Sequence, residues 1–227
     1  MLSLLSLSCG LAVRAAEPPP ADLKPDMMTH YDQVSRARDA LVRGDLRAFR
    51  NQVADLAERL PLTGLPGEAR PFEPTLVSAL LRAQAADSIP EAAERLGEIA
   101  AACGACHKQM RVAFPISESA EPPQAEVMRR HAWAVDQLWQ GLVGDSDEAM
   151  ERGYMLLSET QLYAPGSEHS DPMVLELQLR VHDEAASMLR EGQDRDARSA
   201  SYGRMLGTCS QCHALTGGGP GEGQKDL

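Results

Sequence analysis

The 227-residue chain has few aromatic residues, which make up only 4% of the sequence. Its apolar residues are mainly Ala, Leu, Val and Met, which suit helices, whereas β-sandwich cores are rich in aromatic and β-branched side chains. The 43% apolar content is nevertheless enough to bury a sizeable core. We therefore predict an all-α protein with one large domain or two of about 100 residues each.

Basic residues are also scarce, since 22 Lys and Arg stand against 33 Asp and Glu and give a formal net charge of -11. No basic stripe is present that would neutralise phosphates, which argues against a nucleic-acid partner. The sequence contains no glycine-rich phosphate loop, no nucleophile elbow and no carboxylate pair at a telling spacing, which disfavours ordinary hydrolytic enzymes. The acidic balance favours protein partners with basic docking patches, bound weakly and in a salt-sensitive way.

The apolar stretch in MLSLLSLSCGLAVRAA, at the start of the sequence, is too short to span a bilayer. It ends in small residues and lacks the usual basic start, and we interpret 1–15 as an export signal followed by a proline-rich linker over 16–25. The alternative is lipidation of Cys9, although Leu7 lies one position away from the usual pattern. We expect a periplasmic or otherwise exported protein that associates with a membrane only if lipidated or through a partner.

Only five cysteines occur, and four of them form two copies of one pattern, CGACH and CSQCH. Two disulfides or one zinc site would also use four cysteines, but neither explains the histidine that closes each copy. CxxCH is typical of covalent haem c, in which both thiols add to the haem vinyl groups and the histidine binds iron. Residues i, i+3 and i+4 share a helix face, so one copy can address one haem. We predict two haem c groups attached at Cys103, Cys106, Cys209 and Cys212, with His107 and His213 as iron ligands.

The two halves of the chain align as a tandem repeat. The segments before CGACH and CSQCH match at an offset of 106 residues, which pairs Gly97 with Gly203. MMTHYDQVSRARDALVRGD and VMRRHAWAVDQLWQGLVGD match at an offset of 101, which pairs His30 with His131, and loops absorb the difference cheaply. We predict a first haem domain over 26–115, a linker over 116–124, a second haem domain over 125–215 and a flexible tail over 216–227.

Each half has room for four helices, separated by turn residues. Gly44 is expected to end the first helix and Asp45 to cap the second, and Asp145 or Ser146 takes the capping role in the second half. Ser170 or Asp171 is expected to cap the seventh helix. The predicted helices are 26–43, 45–60, 73–87, 90–112, 125–143, 146–163, 171–191 and 195–214.

Four short helices with CxxCH near the end of the last one resemble the class II c-type cytochromes, the cytochrome c prime group. The resemblance covers most of residues 26–215 as two successive copies, and includes the basic segment HKQMR after the first CxxC and the VRGD turn. It implies a haem inside each of two antiparallel four-helix bundles. Class I cytochromes differ, because their CxxCH comes early and a methionine ligand follows it. No Met or His follows His213, so the sixth iron ligand is expected upstream.

In the resembled family the first helix passes the open haem face, where low-spin members place a methionine and gas-binding members leave the site open. The same two candidate ligands recur in register in both halves: a methionine and, three residues later on the same helix face, a histidine. A histidine buried without a polar partner would be costly, whereas iron coordination satisfies it. The candidate distal ligands are His30 and His131, alternatively Met27, Met28 and Met128. The further alternatives are core methionines with histidines that are exposed or bound to haem propionates, and an open site.

These observations favour an exported dihaem cytochrome c that carries single electrons between redox partner proteins and is not an enzyme. The first alternative is a protein that binds nitric oxide or carbon monoxide at an open iron. A dihaem peroxidase is less favoured, because those enzymes resemble paired class I domains and the late CSQCH contradicts that layout. His169 and His182 have no counterpart in the first half, and we expect them at the surface.

Overall fold

The computed structural model describes residues 23–60, 65–159, 171–190 and 194–217. These ranges contain helices and no strands, which confirms the all-α prediction. The helices are α1 (Leu23–Val42), α2 (Leu46–Glu58), α3 (Glu73–Ala85), α4 (Ile89–Met110), α5 (Val127–Gly144), α6 (Asp147–Glu159), α7 (Pro172–Arg190) and α8 (Arg195–Thr216). The predicted export signal, Cys9, His169 and the chain after Gly217 lie outside the described residues.

The turns between the first two helices of each half form as their residue types predict. Gly44 has a φ of +76°, the left-handed conformation that favours glycine, and the Asp45 carboxylate accepts the backbone N–H three residues on at 2.8 Å. In the second half Asp145 is the left-handed residue, with a φ of 55°, and the Ser146 hydroxyl caps α6. Asp171 caps α7 by accepting the N–H of Met173 at 2.7 Å.

Helices α4 and α8, the two that carry CxxCH, pack against each other at the centre of the molecule. Glycines permit the contact: a Cβ on Gly97 would lie 2.4 Å from the carbonyl oxygen of Ser199, and one on Gly203 would lie 2.7 Å from the Cα of Glu94 and 3.0 Å from the carbonyl oxygen of Ala93. Gly97 and Gly203 are repeat partners, and so are Ala93 and Ser199. The contact is therefore reciprocal, as in a twofold dimer.

The first helix of each half contacts the last helix of the other half. Helix α5 packs along α4, and α1 packs against α8, besides the contacts that α1 makes with α2 and α5 with α6. Buried side chains of both halves, such as Leu41, Leu96, Trp139 and Tyr202, belong to one continuous core. The division at 116–124 stays a prediction, and the halves that it separates share this core.

Polar side chains also join α1 to α5 across the core. The Arg38 guanidinium donates to the Asp136 carboxylate at 2.6 Å and lies 5.7 Å from the centre of the Trp139 ring. The Trp139 indole N–H donates to the Ser35 hydroxyl at 3.1 Å. Ser35 and Asp136 are repeat partners, as are Arg38 and Trp139. The two halves thus meet through equivalent positions that carry different side chains.

Candidate functional site

The last turns of α4 and α8 hold the CxxCH segments, with both cysteines of each segment present as free thiols. Burial raises the pKa of Cys103 to about 12, and burial likewise raises the pKa of Cys209 to about 12. Both thiols are therefore protonated at neutral pH, and the four motif cysteines are not paired in disulfides.

The arrangement of ligating side chains also bears on the zinc alternative. Within the described ranges, no three His, Cys, Asp or Glu side chains gather around a common point. The two CxxC pairs sit on different helices and do not combine into one four-cysteine site. The CGACH segment lies on α4, and the CSQCH segment lies on α8.

The imidazole of His107 is fixed by the end of α5. Its Nδ1 lies 2.8 Å from the Val143 carbonyl oxygen, and because a carbonyl only accepts, Nδ1 carries the proton. Burial lowers the pKa of His107, and the hydrogen bond to Val143 opposes that change. The ring is therefore neutral near pH 7, with the Nε2 lone pair free to bind a metal.

Phe114, in the segment between α4 and α5, covers this imidazole. Its ring stacks on His107 with 5.6 Å between centroids and meets the edge of Tyr31 at 5.4 Å. A Cβ on Gly144 would lie 2.7 Å from the Phe114 ring, so glycine makes room for it there. The sequence assigns Phe114 to the end of the first haem domain but does not indicate its contact with His107, because one aromatic in a proline-containing segment has no periodicity to mark it.

His213 of the second segment faces the end of α1. Burial lowers its pKa, and the nearby Val42 carbonyl raises it. Val42 and Val143 are repeat partners, so each CxxCH histidine faces the same carbonyl of the opposite half. The contact with Val42 is poorer in distance or angle than the 2.8 Å hydrogen bond from His107 to Val143, and Nδ1 of His213 is buried.

A small, mostly apolar cavity of about 20 Å³ lies between α5, α7 and α8 in the second half. That volume holds about one water molecule, so the surrounding helices would have to move apart to admit a larger group. His131 and His213 both line it. The remaining lining includes Met128, Leu177, Val181, Cys209 and Cys212.

The two predicted distal candidates of the second half differ in burial. His131 is 8% exposed, whereas Met128 is 43% exposed, although both line the cavity. Burial, with a smaller contribution from His213, lowers the pKa of His131 to about 4. His131 is therefore a neutral imidazole held inside the cavity with the CSQCH side chains.

The candidates of the first half lie in a more polar environment. His30 and Met27 are partly buried, and Met28 is 45% exposed. Burial lowers the pKa of His30, Asp26 opposes that change and Arg59 adds to it. His30 is thus less shielded from solvent than its repeat partner His131.

His182 lies on α7 with 45% of its side chain exposed, 3.4 Å from the Asp183 carboxylate. This surface position agrees with the expectation that it belongs to neither site.

The residue types of the second site suit a covalently bound haem. Cys209, Cys212 and His213 line one small cavity with an apolar wall and a second imidazole, His131. The first segment fits by its chemistry, with two thiols beside an imidazole whose Nε2 is available.

No protein-family model matches this chain, and no curated protein or solved structure matches it either. None of the helices in the described ranges is both long and apolar enough to cross a bilayer. The function is therefore argued from the two sites themselves.

The buried His131 gives a prediction for the chain without haem, prepared with the four motif cysteines replaced by Ala. In the folded chain the pKa of His131 is about 4, below the ordinary value of 6.5 for histidine. As pH falls through this window the unfolded chain takes up a proton that the folded chain does not, so the free energy of unfolding drops by about 3 kcal/mol. Urea unfolding at about pH 7 and about pH 4 measures this change.

His131→Leu is expected to remove most of this acid sensitivity, because no buried imidazole then needs a proton. His182→Gln is the matched control, since that histidine is largely exposed, and it should leave the sensitivity unchanged. An equal loss of stability in acid for the parent and the His131→Leu chain would contradict a neutral, buried His131.

Proposed function

We propose that this protein is a dihaem c-type cytochrome that carries single electrons between redox partners. The observation that carries the proposal is the second site, where the side chains of CSQCH and the buried imidazole of His131 line one apolar cavity. The imidazoles of His213 and His131 would both be available to hold the iron of a haem bound there. Its iron supplies the one-electron chemistry, and the protein sets the potential through ligands, burial and hydrogen bonds.

The chain's own residues would bind and orient the two haems. Cys103, Cys106, Cys209 and Cys212 would form the thioether links, and His107 and His213 would be the proximal ligands. His131 is the favoured distal ligand of the second site, since it is buried and Met128 is not. By the repeat, His30 is the corresponding candidate in the first site.

The tandem arrangement of two cytochrome c prime-like units is part of this proposal. It is supported by the four helices in each half and by the packing of α4 and α8 through repeat partners. Two redox centres in one chain would form a short relay if their edges lie close together. The formal net charge of -11 supports weak, salt-sensitive docking to a basic patch on an exported redox partner.

Covalent attachment is the first test. The chain, made in a host that attaches haem c, should exceed the mass of the processed polypeptide by two haems and keep a haem stain on a denaturing gel. Cys103→Ala with Cys106→Ala should remove the first haem, and Cys209→Ala with Cys212→Ala the second, because thioether bonds need both thiols for normal attachment. Cys9→Ala is the control and should leave two haems. A chain with no stain and bound zinc would overturn the proposal.

Gas binding at the first site is the second candidate function, and the partial exposure of His30 favours it over gas binding at the second. Optical and spin-resonance spectra in both oxidation states separate the two. A carrier should show two low-spin centres that resist carbon monoxide when reduced. A high-spin first centre that takes up carbon monoxide when reduced would favour the gas-binding function.

A further inference from the structure

A charged cluster at the end of α5 ties it to α4 and α8. The Asp145 carboxylate lies 3.0 Å from the Lys108 ammonium on α4 and also pairs with the Arg195 guanidinium on α8. Asp145 is only 17% exposed, and these two cations lower its pKa against the effect of burial. A charge-assisted pair of this kind joins three helices at one point.

Asp145 stands two residues after Val143, whose carbonyl accepts the hydrogen bond from His107. Lys108 follows His107 directly in the chain. The ion pair between Lys108 and Asp145 therefore runs beside the hydrogen bond between His107 and Val143, and both tie the end of α4 to the end of α5.

The repeat supplies an internal comparison. The partner of Asp145 is Gly44, and the partner of Lys108 is Ala214, so the second site has neither charge. Gly44 takes the same left-handed conformation as Asp145. At that site the contact of His213 with the Val42 carbonyl is poorer in distance or angle than the 2.8 Å hydrogen bond from His107 to Val143. The better-formed hydrogen bond lies where the charged cluster is present.

We propose that Asp145, held by Lys108 and Arg195, is a positioning residue that fixes the His107 imidazole through the Val143 carbonyl. The inference rests on the proposed function for its effect on a haem. A ligating histidine that donates its other N–H to a carbonyl is a more basic ligand, which favours the oxidised iron. Asp145 therefore lowers the reduction potential of the first haem and leaves that of the second unchanged.

Potentials of both haems in the full holoprotein test this through the sign of the change. Asp145→Asn should raise the potential of the first haem only, and asparagine tolerates the left-handed conformation. The double variant Lys108→Gln with Arg195→Gln should raise it too, because the carbonyl loses the same support. Simple charge removal predicts the opposite sign for this variant, since fewer cations nearby disfavour the reduced form.

Asp147→Asn is the matched control, because Asp147 pairs with Arg198 on α8 but lies on α6, beyond the end of α5. It should leave both potentials unchanged. A rise with Asp145→Asn and a fall with the Lys108 and Arg195 variant would show that charge alone acts and would overturn the proposal. No change with Asp145→Asn would also overturn it.

The same positioning is measurable without haem. In the full chain with the four motif cysteines replaced by Ala, nitrogen-15 NMR should show His107 in a single tautomer with the proton on Nδ1. Asp145→Asn should shift it toward a mixture, while His213 stays unchanged; an unaltered His107 would overturn the positioning role. A failed haem attachment, read by mass, would reject the proposed function and leave this NMR result standing.

Discussion

Replacing His131 by Ala is expected to open the second haem site, so that the reduced protein binds one more carbon monoxide per chain than the parent. The reason is that His131 is the buried imidazole of the cavity, and alanine leaves an apolar space with no competing ligand. The oxidised spectrum should gain one high-spin centre at the same time. Carbon monoxide titration of the reduced holoprotein, together with spin-resonance spectra of the oxidised form, measures both changes.

Met128→Ala provides the matched control on the same helix. Its side chain lines the same cavity but is 43% exposed, so we expect an unchanged spin state and no added carbon monoxide binding. The reverse result, with Met128→Ala opening the site and His131→Ala leaving it closed, would assign the methionine as ligand. That outcome would also raise the expected potential, because a thioether favours reduced iron.

At the first site the expected effect of His30→Ala is smaller, because His30 is only partly buried and lies near Arg59 and Asp26. An imidazole that is exposed to water is displaced from iron by an added ligand more easily than a shielded imidazole. A parent protein with one closed and one open haem would place the open iron here. Met27 and Met28 remain the alternatives at this site.

The helices were predictable because their ends carry local chemistry. Gly44 and Asp45 are a left-handed stop and an N-cap that act through their own backbone and side chain, whatever the rest of the chain does. The CxxCH segments are local too, since three residues on one helix face define them. Features of this kind need only a few neighbouring residues, and a sequence displays them directly.

The relation between the two halves was not predictable in the same way. The repeat placed Gly97 and Gly203 in register, but only packing reveals that each glycine meets the helix of the other half. The hydrogen bond between His107 and Val143 likewise joins residues that belong to different copies of the repeat. A repeat indicates which positions are equivalent, but it does not indicate which copy supplies a contact.

The crossing of α4 and α8 gives the second large prediction. Gly97→Ala is expected to lower the free energy of unfolding by about 2 kcal/mol, because its Cβ would lie 2.4 Å from the Ser199 carbonyl oxygen and the two backbones must move apart. The backbone clash outweighs the gain of about 1 kcal/mol that alanine brings over glycine inside a helix. Urea unfolding of the holoprotein, followed by far-ultraviolet circular dichroism, measures the difference.

Gly207→Ala separates this contact from helix propensity. Gly207 lies on α8, and a Cβ there would be 3.6 Å from the Cα of Pro90 and 4.0 Å from the Cβ of Ala93, which are ordinary packing distances. We therefore expect Gly207→Ala to stabilise the protein by up to about 1 kcal/mol, opposite in sign to Gly97→Ala. Stabilisation by both substitutions would show that α4 and α8 do not approach closely at Gly97. The reciprocal packing of the two halves would then be wrong. The hydrogen bond between His107 on α4 and Val143 on α5 would then also be in doubt as a contact between the halves.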